Sequence, residues 1–262
     1  MDTSFIAPLI NLMQSFSSET LSLLIFLGCV VFLLLLFRTF GIIGLYLYNA
    51  VIVIVANIQV LKTATFCFSP EPVALGTITF ATTYLVSDIL TEHHGKAVAH
   101  KGVWLSFAAH ILMTLLMIAT LGYSAPVGDK AHGAMMTLFT PSPRILLAGL
   151  LAYVVSQFLD IYVFEWVGRM TQRRWLWLRS NVATLLSGLV DNAIFSVFAW
   201  VILNPEPITF YSLIFTYILG TYLARVLVAL LSTPVMYLSY WCVPDAPKSP
   251  IEASKLSVME AA

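Results

Sequence analysis

Acids and a single arginine interrupt otherwise apolar runs of this sequence. Asp88 and Glu92 stand four residues apart in "YLVSDILTEHHGK" (Tyr84–Lys96), a spacing that stacks both carboxylates on one face of a helix. Asp160 follows Gln157 by one turn in "SQFLD". Asn181, Thr184, Gly188 and Asp191 recur at helical spacing in "SNVATLLSGLVDN" and make one polar stripe. Arg225 begins "RVLVALLSTPVMY", and Asn57 lies in "ANIQVLK". Carboxylates accept hydrogen bonds, attract cations or carry protons, and amides both donate and accept. No HExxH, GxSxG or P-loop is present. The chemistry expected is ligand recognition or proton carriage, without enzymatic activity and without a cofactor.

A charge in hydrocarbon costs about 2.5–3.5 kcal/mol on insertion scales, so such residues mark sites or pathways. Two plainer roles compete. Asn49, Gln59, Ser156 and His110 suit hydrogen-bonded glue between helices, and Asp191 and Arg225 could neutralise one another. Asp88, Asp160 and Asp191 on three spans, set against one arginine, leave carboxylate in surplus. That surplus favours a ligand or a titrating proton. Adjacent His93 and His94 point about 100° apart on a helix and are poor partners for one metal ion. Cys29, Cys67 and Cys242 are scattered and read as packing residues.

Composition sets the solvent. Of 262 residues, 60% are hydrophobic and 10% charged, against about 25% charged in soluble domains. Mean hydropathy is +0.91. Such a chain belongs in lipid, and zero net charge argues against nucleic-acid binding on a basic surface. Seven runs are long enough to span, at about 20 residues each. They are Thr20–Phe37, Ile42–Leu61, Val73–Leu90, Val103–Gly122, Ile145–Val167, Val182–Leu203 and Tyr211–Tyr237. The first lacks a basic n-region and a cleavage site, so it reads as a retained helix. The separators "CFSPEP", "TPSPR" and "NPEP" carry turn residues, and the stretch from Val243 onward reads as a polar tail. Arg38, Lys96, Lys101, Arg169, Arg173, Arg174, Arg179, Lys248 and Lys255 fall on one side, and Lys62, Lys130 and Arg144 on the other. This asymmetry puts the first group in the cytoplasm, the N-terminus outside and the C-terminus inside. The loop "GRMTQRRWLWLR" dominates it.

Four stretches occur together in order: "SDILTEHHG" (Ser87–Gly95), "SQFLDIYVFEW" (Ser156–Trp166), "WLRSNVATLLSGLVDNAIF" (Trp177–Phe195) and "RVLVALLSTPVMY" (Arg225–Tyr237). With "ANIQVLK" before them, the chain resembles the queuosine precursor transporter family, also called the vitamin uptake transporter family, over roughly Ile42 to Tyr237. The resemblance implies an all-α integral membrane protein with a six-helix core at 41–240. Residues 1–40 are then an extra N-terminal span and 241–262 a cytoplasmic tail. It also implies uptake, across the cytoplasmic membrane, of the 7-cyano- and 7-aminomethyl-7-deazaguanine precursors of queuosine. The family's polar positions carry over to Asn57, Asp88, Glu92, Gln157, Asp160, Asn181, Asp191 and Arg225. Many members have Lys at Arg225, Asp at Ser232 and Gln at Gly188. For such a ligand, Asp160 or Asp191 would accept the paired guanine-edge hydrogens, with Gln157 and Asn181 on the other ring atoms. Phe80, Tyr84, Tyr162 or Phe195 would stack the ring. Asp88 or Glu92 would hold a coupling proton or attract the aminomethyl cation. The alternatives are a binding subunit of a vitamin importer driven by a partner ATPase, and a non-transporting scaffold.

Overall fold

A single glycine folds the longest helix back on itself. In a computed structural model of the chain, which describes residues 6–67, 69–126, 128–139, 143–202 and 221–243, a short exposed helix α1 (Ala7–Gln14) precedes α2 (Ser18–Gln59). The Ser17 hydroxyl caps α2 by accepting from the Thr20 N–H. At Gly41 the backbone turns to φ 57° and ψ −134°, a conformation that a side chain would resist. Cys29 and Tyr48 lie close enough across the two arms to act on one another, yet in a straight helix they would lie about 28 Å apart. The hairpin is tight enough that a Cβ on Gly44 would sit 2.2 Å from the Leu36 carbonyl oxygen. Its arms, 18–40 and 42–59, coincide with the first two expected spans. Phe26, Val30, Leu33 and Phe37 of the first arm are buried alongside Leu45, Tyr48 and Ile52 of the second.

The next expected span is corrected at its start. Val73 and Ala74 do not begin a helix; they belong to an antiparallel ribbon of β1 (Thr63–Phe66) and β2 (Ser69–Ala74), with Thr63 opposite Ala74 and Ala64 opposite Val73. Pro70 and Pro72 lack the N–H that a helix interior needs but are tolerated in a two-stranded edge. Glu19 ties the ribbon to the start of α2 by accepting from the Cys67 N–H at 2.7 Å. Gly76, at φ 91°, then turns the chain into α3 (Thr77–His94).

After Gly95 the chain continues as α4 (Lys96–Leu121), short α5 (Lys130–Phe139), α6 (Pro143–Met170) and α7 (Leu176–Val197). A π-turn, Phe198–Ile202, extends α7, and α8 (Thr221–Ser239) follows. Neither α1 nor α5 was expected from the sequence. Part of the last expected span, 211–220, and the expected tail beyond 243 lie outside the described residues.

Polarity sorts the helices. Three described helices are long and apolar enough to cross a membrane: α2, α4 and α6. Only 5 of the 26 residues of α4 are buried, and Leu112, Leu115 and Leu116 face outward, as lipid contact requires. In α3, 12 of 18 residues are buried, among them Thr79, Thr82, Thr83, Ser87, Asp88 and Thr91. Thr82, Thr83 and Thr91 donate back to carbonyls of their own helix. The polar helices α3 and α7 therefore sit inside an apolar surround: this is an all-α, multi-pass membrane protein with one small β-ribbon.

Candidate functional site

Three helices in register build a polar column. α3 and α6 pack against each other and both meet α7, and their polar residues recur every three or four positions. On α3, Tyr84, Asp88 and Glu92 are successive turns, each about 6 Å further along the axis. On α6, Ser156, Gln157 and Asp160 face them, and on α7 Asp191, Ser187, Ser180 and Arg179 run the opposite way.

An ion pair closes one end of this column. Arg225 Nη2 lies 2.6 Å from Asp191 Oδ2. Ser156 donates to Asp191 Oδ1 at 3.1 Å, and the Tyr84 hydroxyl donates to Ser156 at 3.1 Å. The Arg225 guanidinium also lies over the Phe80 ring, 5.4 Å from its centre. The neutralising partnership that was one of two roles open to Asp191 and Arg225 is formed.

Asp160 occupies the middle, with 0% exposure. Ser187 donates to its Oδ1 at 2.9 Å and Ser87 lies 3.1 Å from its Oδ2. Gln157 sits beside it, also fully buried, with Oε1 3.0 Å from the Ser87 hydroxyl and Nε2 donating to Thr83 at 2.8 Å. One turn further, Ser180 donates to Asp88 Oδ2 at 2.5 Å, while Asp88 Oδ1 is buried with no partner.

The far end is closed by a pair that the sequence did not announce. Arg179 Nη2 lies 2.6 Å from Glu92 Oε1, with both side chains almost wholly buried, and Tyr240 donates to the same oxygen. The guanidinium also lies over Phe164 at 4.9 Å. A Cβ on Gly168 would come 3.2 Å from Arg179 Cδ, so the glycine makes its room. Arg179 was expected in a solvated loop and counted for topology. That expectation is corrected: α7 starts at Leu176, and Arg179 is 1% exposed. The signal available was negative, since no Gly or Pro separates Trp175 from Val182. The turn before it uses Gln172 and Arg173 at positive φ instead of a glycine, so the helix start carries no breaker.

Six of the eight candidate residues therefore share the column: Asp88, Glu92, Gln157, Asp160, Asp191 and Arg225. Asn181 turns away, donating to the Trp177 carbonyl at 2.8 Å and to Thr233 of α8 at 2.7 Å. Asn57 donates to Val53 of its own helix, with its Oδ1 toward Gly149. Among the aromatic candidates, Tyr84 and Phe80 adjoin the column, and Tyr162 is 67% exposed. The hydroxyls of Ser87, Ser180, Ser187 and Tyr240 complete the column; single serines in apolar helices give no distinguishing pattern in the sequence. Asn49 donates to the Tyr153 hydroxyl at 3.4 Å, a bridge between α2 and α6 of the kind expected. His93 shares a 2.8 Å hydrogen bond with Ser239.

Within this column are four carboxylates and two guanidiniums. Glu92 and Asp191 have their cations; among the described residues, Asp88 and Asp160 meet only hydroxyls. Such an interior is costly as scaffold alone and suits a protein that takes up a polar ligand or proton.

Comparison with known proteins agrees with this. Residues 74–239 match a family model described as "Putative vitamin uptake transporter". Over 220 residues, 84% of this chain and 93% of the relative, the sequence is 32% identical to a protein of Bacillus subtilis (strain 168) named "Probable queuosine precursor transporter". No solved structure gives a significant match. The matched segment holds every residue of the polar column except Tyr240, and the chain belongs to the vitamin uptake transporter family.

Proposed function

We propose that the chain imports queuosine precursors, 7-cyano- and 7-aminomethyl-7-deazaguanine, across the cytoplasmic membrane, with Asp160 receiving the guanine edge. The observation that carries this reading is the state of Asp160: a buried carboxylate in mid-column whose oxygens meet hydroxyls and no cation. A guanine-like ring offers N1–H and a 2-amino N–H side by side, which one carboxylate accepts in parallel. Ser187 and Ser87 hold those two acceptor positions. Each has another acceptor in its own helix, Ala183 O at 2.7 Å for Ser187 and Tyr84 O at 3.0 Å for Ser87. A ligand can displace both hydroxyls without stranding either. Asp191, expected as an equal candidate for this role, is held by Arg225, so Asp160 takes precedence. Gln157 is placed to read the ring's other polar atoms, and Phe80 and Tyr84 are the stacking candidates.

The charge asymmetry supports a cytoplasmic location for the end at Gly95 and Arg179, with the N-terminus outside. Residues 41–240 then form the transporting core, and 1–40 are accessory to it. The relative's name supports the substrate class.

A bacterium lacking both precursor synthesis and its own importer tests this. The chain should restore queuosine in tRNA at low external precursor. Asp160→Asn should abolish the rescue at near-normal membrane levels. The amide keeps the shape but loses an acceptor and the charge, leaving a ligand donor unpaired at about 1–3 kcal/mol, roughly ten- to a hundredfold in affinity. Full rescue by Asp160→Asn would remove Asp160 from the site. No rescue by the well-expressed parent would reject the substrate assignment.

A further inference from the structure

We infer that Asp88 is the proton-binding residue that couples uptake to a proton gradient, an inference that rests on the transport reading above. Four acids lie in the column, and their partners separate their roles. Glu92 is neutralised by Arg179 and Asp191 by Arg225. Asp160 has a hydroxyl at each oxygen. Asp88, 1% exposed, has one hydroxyl on Oδ2 and, among the described residues, no hydrogen-bond partner on Oδ1. A buried carboxylate with a bare oxygen and no cation has one small ligand that always fits: a proton on that oxygen, which removes the charge.

Its surroundings supply the coupling. The charges that act on Asp88 are Asp160 from α6, Arg179 from α7 and Glu92 on the next turn of α3. Arg179 is committed to Glu92. Beyond the end of α8, Tyr240 bonds Glu92 rather than Asp88, and His93 bonds Ser239 of α8. Gly102 of α4 adjoins both Tyr46 of α2 and neighbouring Leu90, and the Tyr46 hydroxyl donates to the Val98 carbonyl. Asp160 is therefore the neighbour whose charge Asp88 feels unrelieved.

Asp160 Oδ2 lies 3.1 Å from the hydroxyl of Ser87, the residue before Asp88, and two ionised carboxylates in one buried column repel, so neutralising one favours ionisation of the other. A proton on Asp88 favours the ionised Asp160, the form that accepts two donors from a guanine edge. Substrate on Asp160 in turn favours the proton on Asp88, because linkage is reciprocal. Proton and substrate then bind better together than apart, as symport requires. The proton joins Asp88 Oδ1 from the outer solution and leaves to the inner one, regenerating the carboxylate; no other bond changes.

The test uses the purified full-length chain in liposomes with radiolabelled 7-cyano-7-deazaguanine. With the membrane potential clamped at zero, an inward gradient of one pH unit should drive up to about tenfold accumulation at one proton per substrate. Asp88→Asn, isosteric and permanently uncharged, should bring uptake only to equilibrium while still exchanging labelled for unlabelled substrate. Ser180→Ala removes the donor to the charged form, so gradient-driven uptake should persist to a more alkaline external pH. A merely structural role for Asp88 would not move that profile, and this readout stands even if Asp88→Asn fails to reach the membrane. Accumulation by Asp88→Asn equal to the parent, or an unmoved profile in Ser180→Ala, overturns the assignment. Uptake by the parent that stops at equilibrium despite the proton gradient, or is driven by sodium instead, while exchange persists, overturns proton coupling and leaves the transport reading standing. Absence of any exchange by the parent rejects the transport reading and the coupling with it.

Discussion

Breaking the Glu92–Arg179 pair should be the most damaging single charge change in this protein. The two side chains are 4% and 1% exposed, against 4% and 12% for Asp191 and Arg225, so water can least rescue a partner left alone. In Arg179→Met, Glu92 keeps only the Tyr240 hydroxyl. In Glu92→Leu, Arg179 loses its ion-pair partner and keeps the face of Phe164 and the more distant charge of Asp88, and its Nε has no hydrogen-bond partner among the described residues. An uncompensated buried charge of this kind costs about 3–5 kcal/mol, whereas replacing both partners with apolar residues of similar volume is often neutral. At about 2–4 °C per kcal/mol for a chain of this order of size, each single variant should lose roughly 6–20 °C in detergent. The double variant Glu92→Leu/Arg179→Met should recover most of that loss. Thermal unfolding followed by monodisperse size-exclusion yield measures all four species. A coupling energy below about 0.5 kcal/mol, or a double variant less stable than the worse single one, would refute the reasoning.

Three further outcomes follow from the same geometry. Arg225→Ala should lower the yield of folded protein, and Asp191→Ala added to it should restore part, read as membrane level; the effect should be smaller than at Arg179 because Arg225 is less buried. Gly44→Ala should cost more than about 3 kcal/mol, because the new Cβ meets the backbone of Leu36, while Gly28→Ala, with open space around it, should stay within about 0.5 kcal/mol; thermal stability of the two variants decides. Reporter fusions after Pro8 and after Ser254 should report opposite sides of the membrane, and same-side signals would reject the assigned orientation.

How much was legible depended on whether a residue's neighbours in space are also neighbours in sequence. Apolar runs survive any packing arrangement, so α2, α4 and α6 were visible from hydropathy. The acids were visible because a charge among apolar residues is costly enough to need a role. The reversal at Gly41 was visible as a boundary but not as a hairpin without a loop, since that depends on the contact between Gly44 and Leu36. The β-ribbon was hidden because Val73 and Ala74 are apolar and adjoin a real helix; only pairing with Thr63 and Ala64 decides their state. Arg179 was misassigned for an instructive reason. Arginine near a helix end usually reports topology, and its partner Glu92 lies 87 positions away. The same distance hid the division of labour among the acids, which no spacing rule encodes.

On the proposed reading, that division lets the column hold together while its middle stays exchangeable. At either end a carboxylate meets a guanidinium at 2.6 Å, and separating such a pair in a buried site strands a charge. In the middle the donors are serines. A serine in a helix can turn its hydroxyl from a neighbouring side chain to a carbonyl three or four residues back, at the cost of a rotamer change alone. Ser87 and Ser187 both have that second acceptor within 3.0 Å, so neither becomes an unsatisfied buried group when Asp160 takes new donors. On the same proposed reading, this arrangement of strong pairs at the ends with replaceable hydroxyls between them would confine ligand exchange to one level of the bundle. It also makes a prediction about loss. Ser187→Ala should leave the fold intact, because the only bonds removed are those to Asp160 and to carbonyls already bonded within their helix. It should change affinity for the precursor severalfold, since the placeholder at one acceptor position is gone. Equal affinities in parent and variant, measured by binding to the detergent-solubilised chain, would mean that Ser187 does not stand where the ligand does.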